Sequence, residues 1–298
     1  MLQMGDKALD PLITVAMPVY NAGSYLRLAV MSIVAQSYQN WELLIIDDKS
    51  TDSSLESIAD IQDPRIRILV SDCNQGLAAR LNQAIDLAKG QFFARMDQDD
   101  ISHPERFALQ LQKLLSDPSL DLLGAQCITI SNQNKIFGVL PPAESHDDIC
   151  ARPWLGFYLP HPTWMGRIAW FREHRYATPG PYSCEDQELL LRTYAVSHFH
   201  VLPQRLLAYR VRDRFNWRKA WQTRITLYKL HREYFNSKGQ YLNVVLAGLA
   251  VAMRLGIDSL HMLKQLVLGP ITRHSSNAGV SDVDDEIWRK LIDQLERE

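Results

Sequence analysis

The sequence predicts an α/β fold in which a mostly parallel sheet is flanked by helices and followed by a C-terminal helical region. In the first hundred residues, short apolar runs rich in β-branched residues alternate with helical patterns, which is typical of βαβ units. From Asn216 onward the pattern is helical, without strands. We therefore predict an α/β domain over residues 1–213 and a helical region over residues 214–298.

The individual elements follow from the spacing of apolar and turn-forming residues. Apolar runs predict strands at 12–17, 42–47, 66–70, 92–97 and 121–130. Helices are predicted at 24–37, 53–61, 77–88 and 104–115. The stretch 137–182 is rich in proline, glycine and aromatic residues and predicts loops between short elements.

The composition is that of an ordinary globular protein. A chain of 298 residues with 46% apolar and 22% charged residues excludes a disordered chain and a collagen-like or coiled-coil rod. The four cysteines form no C-x-x-C pair, which argues against a zinc site and a dense disulfide scaffold. The N-terminus lacks a secretory pattern, and no run of eighteen uncharged apolar residues predicts a membrane span. We expect a cytoplasmic protein.

The net charge of −2 hides an uneven distribution. Residues 1–200 carry 16 Lys and Arg against 24 Asp and Glu, whereas residues 201–273 carry 13 against 3. Residues 274–298 carry 3 against 7. An acidic body is thus followed by a basic stretch and a short acidic end.

Polar clusters follow three of the predicted strands. Pro18-Val19-Tyr20-Asn21 follows the first, Asp47-Asp48 ends the second, and Asp97-Gln98-Asp99-Asp100 ends the fourth. The carboxyl ends of parallel strands meet at one sheet edge, where helix N-termini favour anions. Crowded carboxylates need a cation, and hard oxygen ligands suit Mg²⁺ or Mn²⁺, so a divalent ion bound to a diphosphate is the expected ligand. Taken singly, the same aspartates are also ordinary turn or helix-capping residues.

Four ordered motifs carry a resemblance to a known family. They are ITVAMPVYNAGSYLRLAVMSIVAQSYQNWELLIIDDKSTD (13–52), NQGLAARLNQAIDLAKG (74–90), ARMDQDDISHPERF (94–107) and CEDQELLLR (184–192). Residues 11–212 thereby resemble the inverting family 2 glycosyltransferases, whose catalytic domain has the GT-A fold. The resemblance implies a nucleotide-sugar donor and a divalent cation, Mn²⁺ or Mg²⁺, as cofactor.

The resemblance also implies a donor site. Pro18, Tyr20 and Asn21 would line the nucleotide pocket, and Asp48 would accept a hydrogen bond from the base. A carboxylate suits the imide N–H of uracil, which favours a UDP-linked donor. The run Asp97-Gln98-Asp99 matches the D-x-D motif of the family. Asp99 would bind the metal directly, with Asp97 reaching the donor or the metal, and Arg80 and Asn82 would approach the donor unless they belong to a solvated helix face.

The segment around Asp186 matches the Glu-Asp motif of the family, which implies that a carboxylate deprotonates the acceptor hydroxyl. We assign Asp186 as the base and Glu185 as the fallback; the alternative is that both only favour a helix N-terminus. His161 and Trp164 are acceptor-side candidates, with structural roles as the alternative.

The basic helical region has two interpretations. Its aromatic and basic residues, followed by LNVVLAGLAVAM, are typical of a segment that lies on an anionic membrane, at the inner face and near a lipid-linked acceptor. The alternative is helical packing on the α/β domain or on a second subunit of a homo-oligomer. No motif accompanies this charge that would indicate nucleic-acid binding.

The function that the sequence predicts is the metal-dependent, inverting transfer of one sugar from a nucleotide diphosphate donor to an acceptor hydroxyl. By resemblance, the setting is surface polysaccharide, lipopolysaccharide or glycolipid assembly. The Gln-x-x-Arg-Trp motif of polymerising family members is missing, which favours a non-processive enzyme. The alternatives are a nucleotidyltransferase that makes the sugar nucleotide, which should carry a glycine-rich loop after the first strand, and a catalytically silent nucleotide-binding scaffold.

Overall fold

The computed structural model describes residues 10–181, 183–211, 216–268 and 279–297. The strands are β1 Ile13–Val19, β2 Trp41–Asp47, β3 Ile66–Val70, β4 Phe92–Arg95, β5 Ile101–Ser102, β6 Leu122–Ile130, β7 Ile136–Val139, β8 Met165–Arg167 and β9 Phe199–Arg210. The helices are α1 Tyr25–Val34, α2 Leu77–Leu87, α3 Arg106–Ser116, α4 His146–Cys150, α5 Ile168–Glu173, α6 Glu185–Thr193, α7 Trp217–Ser237, α8 Tyr241–Leu268 and α9 Asp282–Leu295.

One sheet contains all nine described strands, in the order β3-β2-β1-β4-β8-β6-β9-β5, with β7 paired to β6. The first four strands are parallel to one another, as βαβ units require. β8 is antiparallel to both of its neighbours, and β6 and β9 run parallel. The predicted α/β fold with flanking helices and a helical C-terminal part is confirmed. The first four strands and the pair β6 and β9 are parallel, and the complete sheet is mixed.

Both faces of the central strands are buried. Along β1, Ile13, Val15 and Met17 pack with α1 and α3 on one face, while Ala16 packs with α2 on the other. Because side chains alternate between faces, a strand covered on both sides is mostly apolar, and this is why β1 and β2 consist largely of apolar residues.

One predicted helix differs from the structure. The helix predicted at 53–61 is a single 3₁₀ turn, Leu55–Ile58, because the chain before it is held by the loop after β1. There the Gly23 N–H lies 2.9 Å from both Asp52 Oδ2 and Ser54 Oγ, which therefore accept from it. The stretch 137–182, predicted as loops between short elements, contains β8 and the short helices α4 and α5.

The helices after β9 form two separate units. α7 and α8 make an antiparallel hairpin, in which Phe235 packs into the core beside α2, α5 and α6. α9 packs Trp288 and Ile292 against β5 and β6 elsewhere on the domain. Packing on the α/β domain, one of the two interpretations of the helical region, therefore accounts for α9 and one side of α7. The domain boundary at residue 213 stays a prediction.

Candidate active site

A cleft of about 950 Å³ opens at the carboxyl ends of β1, β2 and β4. It is also bordered by the first turns of α6 and α7 and by the loops around residues 157–162 and 178–183. Ten of the residues predicted from the sequence line it: Pro18, Tyr20, Asp48, Arg80, Asp97, Gln98, Asp99, His161, Glu185 and Asp186. The structure thus brings four separate sequence motifs to one cavity.

The loop after β1 is fixed by the D-x-D segment. The side-chain carbonyl of Gln98 accepts from the Tyr20 N–H at 2.7 Å, and its amide donates to the Tyr20 carbonyl at 3.1 Å. Gln98 therefore places the Tyr20 ring, which is half exposed in the cleft, relative to the two aspartates.

Asn21 and Asn82 support the cleft from outside its lining. Asn21 has a left-handed backbone with φ of 52°, and its Oδ1 accepts from the Thr51 N–H at 2.8 Å. Asn82 bridges to Tyr176, donating to its carbonyl at 2.8 Å and accepting from its N–H at 3.1 Å. Both side chains hold loops in place. Contact of either residue with the nucleotide-sugar donor stays a prediction.

Asp48 is buried at the base of the cleft and orders the loop before α2. Its carboxylate accepts from the backbone N–H groups of Gln75 at 2.9 Å and Gly76 at 2.7 Å, and from Arg80 Nε at 2.6 Å. Arg80 is in turn held by the Cys73 carbonyl at 2.6 Å. A carboxylate offers about four lone-pair sites, so Asp48 retains capacity for one more donor. Its predicted contact with the base stays a prediction.

Arg95 is a cleft residue that sequence reasoning missed. It is 2% exposed, and it forms an ion pair with Asp97. Its Nε and Nη1 have no hydrogen-bond partner among the residues that the structure describes. Burial disfavours its charge, but the nearby Asp97, Tyr176 and Glu185 outweigh burial and hold the pKa of Arg95 above its ordinary value. Arg95 is therefore a cation that links the D-x-D carboxylates to the α6 carboxylates.

β9 holds the acidic loop from the other side. The Arg210 N–H donates to Asp100 Oδ1 at 2.8 Å, and Arg210 Nε donates to the Asp99 carbonyl at 2.7 Å. Burial, followed by the charges of Asp97 and Asp99, raises the pKa of Asp100 well above its usual range. Asp100 is thus a buried carboxyl behind the site, while Asp97 and Asp99 line the cleft.

Glu185 and Asp186 begin α6, at the opposite side of the cleft. Burial, and next the charge of Asp186, raises the pKa of Glu185 to about 7. Burial also raises the pKa of Asp186, whose Oδ2 accepts from Gln187 Nε2 at 3.2 Å. Two neighbouring carboxyls with raised pKa values are suited to proton transfer near neutral pH.

His161 lies beneath these carboxyls as a buried, neutral ring. Its Nε2 lies 2.8 Å from the Tyr176 hydroxyl, and its Nδ1 lies 3.9 Å from Glu185 Oε1. Burial and the charge of Arg95 place the pKa of His161 well below its usual range. His161 keeps one surface on the cleft, so an acceptor-side role stays a prediction.

Trp164 requires a correction. It is fully buried, and its indole N–H donates to the Leu159 carbonyl at 3.1 Å. Its ring centroid lies 4.5 Å from that of His161, in an edge arrangement. In this structure Trp164 packs against His161 within the core and contributes no surface for direct contact with an acceptor.

The carboxylates that line the cleft fit a cation that is shared with a substrate. In residues 10–181, 183–211, 216–268 and 279–297, no group of three or more His, Cys, Asp or Glu side chains is arranged to hold a metal. Two carboxylates, Asp97 and Asp99, do line the open cleft. This matches the usual binding of Mg²⁺, in which one or two carboxylates combine with substrate phosphates and water.

The model of the family "Glycosyl transferase family 2" matches residues 14–175, more than half of the chain. The chain belongs to glycosyl transferase family 2. Among its family 2 relatives, an uncharacterized glycosyltransferase of Haemophilus influenzae is 30% identical over 215 residues, 67% of this chain and 66% of the relative. The UDP-Glc:alpha-D-GlcNAc-diphosphoundecaprenol beta-1,3-glucosyltransferase WfgD of Escherichia coli is 33% identical over 129 residues, 43% of this chain and 50% of the relative. The matches thus span half to two thirds of these relatives.

Solved structures share the fold of this family 2 chain. S. aureus TarS 1-349 in complex with UDP-GlcNAc superposes with a TM-score of 0.59 at 16% identity, covering 95% of this chain and 80% of TarS 1-349. The mannosyltransferase PcManGT of Pyrobaculum calidifontis, in complex with GDP-Man and Mn²⁺, gives a TM-score of 0.56 at 14% identity, with 96% and 86% covered. At these identities the likeness establishes the GT-A-like fold.

Proposed function

We propose that this protein transfers a single sugar from a nucleotide-sugar donor to an acceptor hydroxyl, with inversion at the anomeric carbon. The observation that carries the proposal is the arrangement of one cleft. Asp97 and Asp99 lie at the strand ends, Glu185 and Asp186 begin a helix on the other side, and Arg95 is close enough to Asp97 and Glu185 that both raise its pKa. A donor phosphate site thereby faces a proton acceptor across a space that fits a sugar.

The donor we propose is a UDP-sugar. Asp48 lies at the base of the cleft beside Pro18 and Tyr20, and its remaining acceptor capacity suits the imide N–H of uracil. The relative WfgD is named for UDP-Glc, and the neighbour TarS was solved with UDP-GlcNAc. Mannosyltransferase PcManGT was solved with GDP-Man, so a guanine base is the competing outcome of a donor test.

Asp186 is the group that we assign to take the acceptor proton. Its raised pKa makes it a stronger base than an exposed aspartate. Attack from the α6 side, opposite the phosphates on the Asp97 side, inverts the configuration. The ion pair with Arg95 orients Asp97, and the two unpaired N–H groups of Arg95 leave it able to donate toward the diphosphate.

Asp97 and Asp99 would hold a divalent cation, Mn²⁺ or Mg²⁺, together with the donor diphosphate. When bound, such an ion offsets the charge that develops on the departing nucleoside diphosphate. The neighbour PcManGT was solved with Mn²⁺. The residues of this chain contribute the carboxylates and, through Gln98 and Arg210, the rigidity of the loop that carries them.

The acceptor that we propose is a lipid-linked or growing surface glycan. The relative WfgD is named for a diphosphoundecaprenol-linked acceptor, and a second relative, 38% identical over 104 residues, is a putative colanic acid biosynthesis glycosyl transferase of Escherichia coli K12. The setting is therefore the cytoplasm, at the inner face of the membrane.

A panel of nucleotide sugars tests the proposed function. We expect one UDP-sugar to raise the melting temperature in the presence of Mn²⁺ or Mg²⁺ and to be hydrolysed slowly without acceptor. If a GDP-sugar is preferred instead, the assignment of uracil as the base of the donor is wrong. If none of the donors stabilises the protein with metal present, the chain is a silent scaffold and the proposed function is refuted.

The pair Glu185 and Asp186 predicts a pH dependence. Because Asp186 must be ionised to act as the base and burial raises its pKa above the ordinary value of an aspartate, we expect kcat/KM to rise with pH and to level off once Asp186 is ionised. A neighbouring negative charge disfavours ionisation, so Glu185→Gln should move the acidic limb to lower pH. A profile of donor hydrolysis against pH measures this, and a rate that does not change between about pH 5 and 8 would contradict the assignment.

A further inference from the structure

The outer surface of α8 is apolar and uncovered. Six large side chains define what we call the apolar face of α8: Leu242, Val245, Leu249, Met253, Leu260 and Leu263. Each is between 52% and 71% exposed. Among the exposed positions from Tyr241 to Lys264, the one charged residue is Lys264. A face of this kind along about 35 Å of helix is far more apolar than the surface of an ordinary soluble protein.

The polar residues of α8 point the other way, toward α7. Asp258 Oδ2 pairs with Arg224 Nε at 3.3 Å, and Arg254 is half-buried. Burial and the proximity of Arg224 lower the pKa of Arg254. The usual amphipathic order is thus reversed, with charges inside the hairpin and hydrocarbon outside. This order is stable only if something apolar covers the outer face.

The shape and charge of the hairpin identify the cover. At 3.6 residues per turn, the exposed positions of α8 occupy about 160° of its circumference. Helix pairing buries a narrow seam flanked by charges that set register, whereas a lipid surface covers a wide arc without them. Of the charged residues in 216–268, six Lys and Arg are exposed against one Glu, which matches an anionic surface.

Two exposed tryptophans lie on α7 near the end of the hairpin. Trp217 and Trp221 lie on the same side of α7 as Arg224 and Tyr228, which contact α8. Because the hairpin is antiparallel, this places the tryptophans beside the last turns of α8. Tryptophan is the residue that most favours the interface between lipid and water.

The same end of α7 belongs to the cleft. Lys219 and Thr223 line the cleft. The Thr223 carbonyl lies 3.6 Å from Sγ of Cys184, the residue that directly precedes Glu185 and Asp186. A surface that holds the hairpin therefore holds the base-bearing side of the cleft close to itself.

We infer that the apolar face of α8 docks on an anionic lipid bilayer. In this arrangement α8 lies on the bilayer and does not cross it. The segment Tyr241–Gln265 is long and apolar enough to span a bilayer, but its inner side packs against the charged helix α7. This inference rests on the proposed function only for the role of the bilayer, which is to carry the acceptor; docking itself does not depend on it.

Flotation of the full chain with lipid vesicles tests the inference. We expect binding to vesicles of phosphatidylcholine and phosphatidylglycerol, and weaker binding to phosphatidylcholine alone or in high salt. The triple variant Leu249→Glu, Met253→Glu and Leu260→Glu should bind at least about tenfold more weakly. The matched control is Val70→Glu, Val196→Glu and Val283→Glu, which adds the same charge at residues 67%, 73% and 66% exposed elsewhere, and it should bind like the wild type.

Two results would overturn the inference. One is equal loss of vesicle binding in both triple variants. The other is a wild-type dimer in lipid-free solution that does not bind vesicles and that only the α8 variant dissociates, since the cover would then be a second copy of the chain. Donor hydrolysis is measured on the same proteins without lipid. It shows that the variants are folded, and its absence in the wild type would refute the proposed function while leaving the docking result intact.

Discussion

Asp186→Asn lowers turnover by about 10²–10⁴-fold, the usual contribution of a general base, while donor affinity changes little. Asparagine has the size of aspartate and can still accept from Gln187 Nε2, which lies 3.2 Å from Asp186 Oδ2. It cannot take a proton. The loss should therefore appear in kcat, with the donor Kd preserved in a calorimetric titration.

The control for this variant is Glu188→Gln on the same helix. Glu188 pairs with Arg192 at 2.9 Å and does not line the cleft, so its replacement removes one charge from α6 without touching the site. We expect its turnover to stay within about twofold of the wild type. Near-normal turnover of Asp186→Asn would remove Asp186 from the role of base, and Glu185→Gln would then be the next variant to assay.

We expect Asp99→Asn to abolish the stabilisation of the protein that depends on a divalent cation. Replacing a carboxylate by an amide removes a charged hard ligand, so we expect turnover to fall by about 10²-fold or more and the metal-dependent stabilisation by donor to disappear. The loop should persist, because Arg210 holds it through the Asp99 carbonyl at 2.7 Å, which the substitution keeps. Melting temperature with nucleotide, with and without Mn²⁺, measures the effect.

Glu105→Gln is the matched control for Asp99→Asn. Glu105 is an exposed carboxylate that does not line the cleft, six positions farther along the chain. Its loss should leave both the metal effect and turnover unchanged. Metal-dependent stabilisation that survives in Asp99→Asn would show that the cation binds elsewhere or is not required.

The parts of the site that the sequence predicts are those that one local motif carries. A strand followed by Asp97-Gln98-Asp99, or a helix that begins with Glu185 and Asp186, places its carboxylates without reference to the rest of the chain. The sheet edge then brings them together, as expected for parallel strands. The same reasoning overestimated Trp164, because local sequence does not tell which side of an element faces the cleft and which faces the core.

Residues whose role depends on distant contacts were not predictable. Arg95 ends β4, next to buried apolar residues. Its charge belongs to the cleft only because Tyr176 and Glu185, from later in the chain, lie near it. Arg210 holds the acidic loop from a strand 111 positions away from Asp99. One weak signal existed for each: an arginine inside an apolar strand is costly to bury unless a carboxylate partners it.

The length of α8 was hidden for a related reason. Arg254 and Asp258 interrupt its apolar run in the sequence, so no unbroken run of eighteen uncharged apolar residues appears, although the window Tyr241–Gln265 is apolar on average. In the structure both residues lie on the side that meets α7, and the outer side remains apolar.

The most direct test of the account is the anomeric configuration of the sugar released from an α-linked UDP-sugar. Time-resolved proton NMR follows hydrolysis by the wild type with the donor that stabilises it best, with Mn²⁺ or Mg²⁺ present. The account predicts that the β anomer is formed first, because water activated at Asp186 attacks from the side opposite the diphosphate. First formation of the α anomer would contradict it.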